Sequence, residues 1–396
     1  MEQLTVFFLC MSEYGHVMPI RHLIREFSMR GYRVIVYASE TFGNIIEDSG
    51  GEFIACDIYE IREKYQRSNL GESFSDQLYF AENINERMGK DIEKYKPAFA
   101  VVDEGSIWGK LIVEKYRIPF VISSPTIPLN LVTLSDYCID IYKSIEPAIN
   151  EIQQHLDMMS EKSFPKKTFL SLLLLNEQTD CIFYQTKTFL PCQNTFNLEH
   201  IFFAGACGRE KTTDLEKPFL LKCLQNKKSR PFVFVTMGTI SSLSSSFWIT
   251  CIKAFKGKNI DVVMVVWKYV NEEIFSQMPD NIAIVREADQ RQYLKYADVC
   301  VCHGGLNTVS DCLWEGVPMA LYPMFADQYA NARITAEEKA GILMENHRPD
   351  TIWKTVNELL NNDIYRLNAQ LIHEKMMFSG STSDAADWIL KRKGYI

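Results

Sequence analysis

The chain has 396 residues, which is too long for one compact core of ordinary size, so its length predicts two domains of about 150–200 residues each. Its net charge is −8 and it contains no long basic block, which argues against nucleic acid as a partner. Eleven cysteines without a C-x-x-C pair predict reduced, mostly buried thiols in a cytoplasmic protein. The N-terminus lacks the basic start of a signal peptide, and no apolar run approaches the roughly 18 residues that cross a bilayer. We therefore expect a soluble protein without stable membrane insertion.

The N-terminal half of the chain alternates strand-like and helix-like segments. A helical pattern at 19–31 closes on a glycine, and apolar runs predict strands at 4–10, 33–39, 98–103 and 120–124. Strands separated by helices indicate a parallel sheet that is covered on both faces. Residues 130–190 combine polar helical stretches with an apolar run, so we expect helices beside a cleft there. The first domain is predicted to span residues 1–207.

The C-terminal half repeats this alternation after a change in composition. Residues 208–230 are rich in lysine and lose the apolar periodicity, which predicts a linker. A second domain is predicted over 231–378, with strand-like runs at 231–238, 261–267, 281–285, 298–302 and 317–323. The last segment, 379–396, contains a predicted helix at 383–394. Two such α/β units describe a pair of Rossmann-like domains, in which ligands bind at the carboxyl ends of the strands.

The stretch from His303 to Gln328 carries the most informative motif and follows a strand-like apolar run. Two glycines at a strand-to-helix junction let the backbone approach a ligand closely, and the first amides of the next helix then face that ligand. The glycine and polar residues of this junction are His303, Gly304, Gly305, Asn307 and Thr308. They predict a site for a diphosphate.

A second apolar run, at 317–323, leads to Asp327 and Gln328. A carboxylate and an amide at the end of a strand suit hydroxyl-rich ligands such as sugars, because they accept and donate hydrogen bonds. Together with the glycine junction, this pair predicts a site for a phosphate group joined to a polyhydroxylated compound.

These residues resemble the donor-binding signature of the family 1 UDP-glycosyltransferases, and in particular of their bacterial macrolide-type members. The family pattern is roughly H-G-G-x-x-S-x-x-E followed by P-x-x-x-D-Q, and the residues that match it are His303, Gly304, Gly305, Pro323, Asp327 and Gln328. Thr308 stands in place of the serine, and Asp311 stands in place of the glutamate. The resemblance implies the α/β GT-B fold, in which two facing Rossmann-like domains with parallel sheets enclose an inter-domain cleft. It also implies that a terminal helix packs back on the N-terminal, acceptor-binding domain.

His16 follows the first predicted strand, within the sequence Y-G-H-V-M-P. A histidine at the carboxyl end of a strand can act as a general base, since its pKa lies near neutrality. A histidine that caps a turn or packs under the next helix would leave the same pattern. The resemblance implies the catalytic base, because G-H-x-x-P is where the family carries it. Pro19 is expected in the first turn of the following helix.

Asp103 ends the strand-like run at 98–103. A carboxylate there can accept the other imidazole N–H of His16, fix its tautomer and stabilise the imidazolium. A helix N-cap or a solvated acid is an equal alternative from the position alone. The resemblance implies the catalytic role, because the family segment D-x-x-x-x-x-G matches Asp103 to Gly109. Glu104, the next residue, is the alternative carboxylate for this role.

Further donor-binding residues are implied by the resemblance. Gly238 and Thr239 follow the first strand of the second domain, where the family's G-[ST] contacts the donor diphosphate, although an ordinary βα turn suits them equally. Gln290 matches the end of the segment that holds uracil, but Asp289 replaces the family's proline. Trp267 ends a predicted strand and is expected to pack in the core.

Asp311 is the other departure from the family pattern. The family glutamate grips the ribose hydroxyls, and aspartate is one methylene shorter, so we expect a weakened or water-bridged contact. This favours the hypothesis that TDP-sugars are used alongside UDP-sugars. The retained Asp327 and Gln328 fit a fully hydroxylated hexose such as glucose.

The sequence predicts neither a metal site nor a cofactor other than the nucleotide sugar as co-substrate. Cys300 and Cys302 alternate along a strand-like run next to His303 and are expected to pack in the core. No D-x-D follows a predicted strand. Helix dipoles and side chains are then expected to stabilise the leaving group.

The sequence thus predicts an inverting hexosyltransferase that moves a sugar, expected to be glucose, from UDP to a hydroxyl of a lipophilic acceptor. The expected acceptors are macrolides, polyketides or phenolic compounds. The alternatives are a lipid acceptor, a TDP-sugar donor, a nucleotide-sugar epimerase of the same fold, and a binding protein that activates another enzyme. The pairing of His16 with Asp103 argues against an epimerase, and the retained H-G-G segment argues against a binding protein.

Overall fold

The computed structural model describes residues 3–56, 70–208, 230–238, 245–266, 278–286 and 288–396. The chain divides into two compact units, Met1–Gly208 together with Ser379–Ile396, and Arg209–Phe378. The predicted linker at 208–230 lies outside the described residues apart from its two ends. The last segment of the chain is part of the first unit, although the second unit precedes it in sequence.

A parallel sheet forms the centre of the first unit. Its strands lie in the order β3-β2-β1-β4-β5-β6-β7, and every described pair is parallel. The strands are β1 (Thr5–Leu9), β2 (Arg33–Ala38), β3 (Glu52–Ala55), β4 (Phe99–Asp103), β5 (Phe120–Ser124), β6 (Cys181–Phe183) and β7 (Ile201–Phe203). All side chains of β1 and β4 are buried, as expected for central strands that are covered on both faces.

Helices follow most strands of the first unit and cover the sheet. They are α1 (Tyr14–Met29), α2 (Gly43–Asp48), α3 (Leu70–Tyr95), α4 (Ile107–Lys115), α5 (Leu131–Asp136), α6 (Ile139–Ile145), α7 (Ile149–Glu161) and α8 (Phe169–Leu173). Short 3-10 helices lie at Glu40–Phe42, Glu146–Ala148, Lys187–Phe189, Gln193–Thr195 and Leu198–His200. Helix α1 buries Val17, Ile20, Leu23, Ile24 and Phe27, whose spacing places them on one face toward the sheet.

The second unit has its own parallel sheet, in the order β10-β9-β8-β11-β12-β13. Its strands are β8 (Phe232–Thr236), β9 (Asp261–Val265), β10 (Ile282–Val285), β11 (Val299–Cys302), β12 (Met319–Leu321) and β13 (Gly341–Leu343). Its helices are α9 (Ser245–Phe255), α10 (Gln290–Leu294), α11 (Leu306–Trp314), α12 (Gln328–Glu337), α13 (Pro349–Asn361) and α14 (Ile364–Met377). The prediction of two parallel α/β units is confirmed.

The final helix, α15 (Thr382–Arg392), packs against the first unit. Its N-terminus is closed by a capping box in which Ser381 and Asp384 exchange hydrogen bonds with each other's backbone. Ala385, Ala386, Ile389 and Leu390 enter the same core cluster as the buried face of α1. Near the C-terminal end of α15, the Asp180 carboxylate accepts hydrogen bonds from Arg392 Nε (2.7 Å) and Lys393 Nζ (2.8 Å).

Two sequence-based expectations are wrong in detail. Helix α1 begins at Tyr14, so Pro19 lies inside the helix rather than in its first turn. Its missing N–H costs one intrahelical hydrogen bond. Residues 181–183, within the stretch that we expected to be helical, form strand β6.

Among the residues that the structure describes, no helix is long and apolar enough to cross a membrane.

We predict that the buried Asp180 carboxylate makes a measurable electrostatic contribution to the stability of the fold. Burial raises the pKa of its carboxyl, but hydrogen bonds from Arg392, Lys393 and His200 outweigh burial and hold the pKa below its usual value. The contribution is therefore present above the carboxyl's unfolded pKa of about 3.9 and is lost as the pH falls. We expect Asp180→Asn to lower the free energy of unfolding at pH 7 by roughly 1.5–3 kcal/mol, measured by urea denaturation.

Asp387→Asn is the matched control, because its carboxylate pairs with Arg30 at 2.5 Å but its side chain is 56% exposed. We expect a loss of about 1 kcal/mol or less in that variant. Equal losses in both variants would contradict the assigned role of Asp180.

Candidate active site

The first cluster of predicted residues lies at the carboxyl ends of β1 and β4, which are neighbours in the sheet. His16 is in the first turn of α1, after β1, and Asp103 is the last residue of β4. His16 Nδ1 lies 2.9 Å from Asp103 Oδ2 and 3.0 Å from Asp103 Oδ1. The Asp103 side chain is 1% exposed, whereas 17% of the His16 side chain remains exposed. The structure thus brings the two residues together as a dyad with one partly accessible ring.

Asp103 is fixed by its own loop as well as by the histidine. Its Oδ1 accepts a hydrogen bond from the Gly105 amide at 2.8 Å. Glu104, the fallback partner, instead accepts hydrogen bonds from the Ser124 hydroxyl and from the hydroxyl and amide of Thr126. The structure therefore assigns the imidazole contact to Asp103 and not to Glu104.

The pKa of His16 in the dyad differs from the near-neutral value that we expected from the sequence. Burial alone lowers the pKa of the imidazole, but the charge of Asp103 and its hydrogen bond outweigh burial and raise the pKa to about 10. Glu13 and Glu104 add to the rise. Burial also raises the pKa of Glu104, to about 7. In the protein without substrate, His16 is consequently an imidazolium at neutral pH.

The second cluster lies in the second unit, at the turn between β11 and α11. Gly304 has a φ of +83°, which favours glycine, and Gly305 is the N-cap of α11 without a side-chain cap. A Cβ on Gly304 would lie 3.0 Å from the carbonyl oxygen of Gln328. The glycine turn therefore packs directly on the start of α12, because β11 and β12 are adjacent strands. This contact brings together the two segments of the predicted donor motif, the glycine turn and the Asp327–Gln328 pair.

His303 lies between two glycines of this cluster. A Cβ on Gly238, which has a φ of +70°, would be 2.6 Å from His303 Nε2, and a Cβ on Gly305 would also collide with the ring. Burial lowers the pKa of His303, so the ring is neutral at pH 7. Its Nδ1 is buried and has no hydrogen-bond partner in the described structure. The absence of side chains on both glycines is thus what makes room for His303.

Gln290, Thr308 and Asp311 form one hydrogen-bonded group. Gln290 Nε2 donates to Asp311 Oδ2 at 2.6 Å, and the Thr308 hydroxyl donates to Gln290 Oε1 at 3.3 Å. Thr308 and Asp311 lie on α11 and are buried, and Asn307 beside them is half-buried. Asp289, which replaces the family's proline, is the N-cap of α10 and accepts from the Arg291 amide. This N-cap contact is a structural reason for aspartate in place of the family's proline.

Asp327 and Gln328 are placed beside the glycine turn, but their side chains make internal contacts. Asp327 Oδ2 accepts from Asn331 Nδ2 at 2.9 Å. Gln328 is 5% exposed, and its Oε1 accepts from the Met324 amide at 3.0 Å. Of the remaining predicted residues, Thr239 and Trp267 lie outside the described part of the chain.

The predicted cysteines are core residues. Cys300 and Cys302 are fully buried on β11. Within the described ranges, no group of three or more histidine, cysteine, aspartate or glutamate side chains is arranged to hold a metal ion.

A cavity of about 600 Å³ in the first unit lies away from the dyad. Among its lining residues, Thr179 precedes β6 and His200 precedes β7, so the cavity opens near the amino ends of these strands. His16 comes after the carboxyl end of β1, and Asp103 is the last residue of β4, so both lie at the opposite edge of the parallel sheet. Ligands of such sheets bind at the carboxyl edge, which favours the dyad over the cavity as the reaction site.

Comparisons with known proteins find similar sequences and similar folds. Residues 257–389 match the family model "Erythromycin biosynthesis protein CIII-like, C-terminal domain". The chain is 26% identical over 339 residues to the NDP-glycosyltransferase YjiC of Bacillus subtilis, covering 84% of this chain and 82% of that protein.

Two solved structures share the fold over nearly the whole chain. The glycosyltransferase of kitacinnamycin has a TM-score of 0.82 at 19% identity, covering 98% of this chain and 99% of that chain. Glycosyltransferase VinC in complex with DTDP has a TM-score of 0.72 at 15% identity, covering 99% of this chain and 100% of that chain.

The chain therefore has the GT-B fold, and its sequence is similar to that of a bacterial glycosyltransferase. Its resemblance to the bacterial macrolide-type members of the family 1 UDP-glycosyltransferases is confirmed.

The packing of His303 predicts that Gly238 is required for nucleotide binding. Gly238→Ala is expected to displace the ring and weaken UDP binding at least about tenfold in a calorimetric titration, because the new Cβ would lie 2.6 Å from Nε2. Gly257→Ala is the matched control, since Gly257 has a φ of +71° but nothing within 4 Å of its Cβ position. It carries the same backbone strain and should leave UDP binding unchanged. Equal affinity in the two variants would refute the steric role of Gly238.

The dyad predicts an unusual histidine titration. In Asp103→Asn the imidazole loses the charge that outweighs burial, so its pKa should fall by roughly two units or more, measured by NMR on labelled histidine. Because the folded pKa is raised, the pair stabilises the fold fully below the unfolded pKa of 6.5, and this stabilisation is lost as the pH rises through about 10. The difference in unfolding free energy between wild type and variant should shrink over that range. An unshifted titration would show that Asp103 does not control the ring.

Proposed function

We propose that this protein is an inverting hexosyltransferase that transfers a sugar from a UDP-sugar to a hydroxyl of a lipophilic natural product. Glucose is the proposed sugar. The observation that carries the proposal is the contact between His16 Nδ1 and the buried Asp103 carboxylate, at 2.9 Å. This contact leaves the second ring nitrogen of a partly exposed imidazole available for proton transfer.

In the proposed reaction, neutral His16 accepts the proton of the acceptor hydroxyl at Nε2 while the hydroxyl oxygen attacks the anomeric carbon. A new glycosidic C–O bond forms, the bond from the anomeric carbon to the diphosphate oxygen breaks, and UDP leaves with the bonding electrons. Asp103 keeps the proton on Nδ1 and stabilises the imidazolium. Single displacement converts an α-linked donor into a β-glycoside.

The second unit supplies the proposed diphosphate site. The amides at the start of α11 carry the positive end of a helix dipole and lack a side-chain cap. Gly304 and Gly305 let the backbone approach the diphosphate closely. Further proposed contacts are Gly238, Thr239, His303, Asn307 and Thr308. We propose that these groups stabilise the departing UDP without a metal ion or another cofactor.

The choice between UDP and TDP depends on Asp311 in this proposal. Its Oδ2 is bonded to Gln290 at 2.6 Å, which leaves less of a short carboxylate for the ribose hydroxyls. A weak grip on the ribose permits a deoxyribose nucleotide as well, and the VinC structure is a complex with DTDP. We propose UDP-glucose as the principal donor, held at the sugar by Asp327 and Gln328, and TDP-glucose as a second one.

The proposed acceptor class is a lipophilic polyketide, macrolide or phenol. The family model that matches residues 257–389 is named for erythromycin biosynthesis, and a structural neighbour is the glycosyltransferase of kitacinnamycin. Helices α5 to α8 lie in the stretch where we expected helices beside a cleft, and they expose Ile139 (37%) and Met158 (55%). Such apolar side chains suit an acceptor of this kind.

An acceptor-dependent assay of nucleoside diphosphate release tests the proposal. The protein is incubated with UDP-glucose or TDP-glucose and a panel of phenols and macrolides, with and without EDTA. Release that requires an acceptor and survives EDTA, with UDP-glucose preferred, supports a metal-independent transfer from UDP-glucose to the acceptor. Conversion of the sugar without an acceptor would indicate an epimerase, and binding without turnover of any kind would indicate a binding protein.

The role of His16 predicts the behaviour of His16→Ala. We expect kcat to fall about 100- to 10,000-fold because the base is lost, while UDP affinity stays unchanged. In the wild type, kcat/KM should rise with pH across the neutral range, since Asp103 keeps His16 protonated until about pH 10.

His200→Ala is the matched control, because His200 Nδ1 also contacts a buried carboxylate, Asp180 Oδ1 at 2.9 Å, outside the dyad. It should retain the wild-type kcat. A His16→Ala enzyme that turns over at the wild-type rate would rule out the proposed base.

A further inference from the structure

We propose that Gln77 is the positioning residue of the dyad: its carboxamide holds the loop that fixes Asp103, and through Asp103 it sets the orientation of His16. Gln77 lies on α3, outside every motif of the sequence, and the catalytic part of this inference rests on the proposed function.

Gln77 binds the loop after β4 through both ends of its carboxamide. Its Nε2 donates to the Gly105 carbonyl oxygen at 2.9 Å. Its Oε1 accepts from the Ile107 amide at 2.7 Å and from the Trp108 amide at 3.4 Å. The side chain thus connects α3 to the loop and to the first turn of α4. Gln77 is 1% exposed, so these bonds form out of contact with water and are costly to leave unmade.

The loop residue that Gln77 holds is hydrogen-bonded to Asp103 and lies beside His16. The Gly105 amide donates to Asp103 Oδ1 at 2.8 Å. A Cβ on Gly105 would lie 3.3 Å from Asp103 Oδ1 and 3.7 Å from His16 Cε1. A shift of Gly105 therefore moves the carboxylate directly. The chain of contacts runs from Gln77 through Gly105 and Asp103 to the imidazole.

A carboxamide suits this position for a chemical reason. The loop presents a carbonyl oxygen and two amides to α3, so the group that binds them must donate at one end and accept at the other. A glutamine does so without a charge. A charged side chain would add to the charges that already act on His16, which are those of Asp103, Glu13 and Glu104. Gln77 can therefore hold the dyad in place without altering its charge.

The test compares Gln77→Met, which keeps the shape and removes both hydrogen-bonding ends, with Gln153→Met. Gln153 makes the same kind of clamp in the same unit, accepting from the Phe169 amide at 2.9 Å and donating to the Lys167 carbonyl at 3.1 Å. Its side-chain hydrogen bonds in the described part of the chain do not reach the dyad loop. In each full-length variant we would measure the His16 titration by NMR, the pH profile of kcat/KM, the KM for UDP-glucose and the thermal unfolding midpoint.

In Gln77→Met we expect the pKa of His16 to fall by at least about one unit, because a displaced Asp103 stabilises the imidazolium less. The acid limb of kcat/KM should move to lower pH by the same amount. The pH-independent maximum of kcat should fall about tenfold, with KM for UDP-glucose unchanged. In Gln153→Met the His16 titration and kcat should match the wild type, even if the unfolding midpoint falls equally.

An unchanged His16 titration in Gln77→Met, or an equal shift in Gln153→Met, would overturn the proposal. The titration does not depend on catalysis, so it decides the positioning role even if the wild type transfers no sugar, an outcome that would instead refute the proposed function. If Gln77→Met does not fold, amide hydrogen exchange of the wild type decides. Protected amides at Ile107 and Trp108 support the clamp, and exchange at the rate of an exposed loop refutes it.

Discussion

The buried carboxylate of Asp103 is the constraint on which the first unit's chemistry depends. A charge with 1% of its side chain exposed persists in a folded protein only where donors replace water. The imidazole of His16 and the amide of Gly105 are those donors, and both come from segments that follow the ends of adjacent strands. The parallel pairing of β1 with β4 therefore determines which side chains can meet, and the carboxylate determines the tautomer and the charge of the ring.

The two histidines of the candidate sites show how environment separates their chemistry. His16 faces a carboxylate that raises its pKa, whereas burial lowers the pKa of His303, which is packed between glycines. Each follows a central strand of its own sheet. The first ring is therefore protonated at neutral pH, and the second is neutral. The same residue type thus takes two protonation states through burial and neighbouring charge.

The sequence was most informative where patterns are local. The central strands were predicted to within one or two residues, because continuous apolar runs such as that of β4 identify strands buried on both faces. Four strands were not predicted. Strands β6, β7 and β13 have only three residues each, which is too short for a periodicity, and β3 is partly exposed. The sequence motifs identified most residues of the two candidate clusters, since glycine turns and strand ends are also local features.

Contacts between distant segments could not be predicted in this way. Gln77 and Gly105 are separated by 28 residues, and nothing in either segment indicates the other. The inward-facing carboxamide of Gln328 and the raised pKa of His16 depend on burial, which the sequence does not state. The capping role of Asp289 could have been recognised, because aspartate before a short helical pattern is a usual N-cap.

The assignment of α15 to the first unit has a consequence for biosynthesis. The residues that complete this unit's core leave the ribosome only after the whole of Arg209–Phe378 has been synthesised. The second unit is continuous in sequence and can fold while the nascent chain is still attached. The earlier-made unit must therefore wait with part of its apolar surface uncovered until α15 has been synthesised, and a stop codon before α15 would damage the unit that was made first.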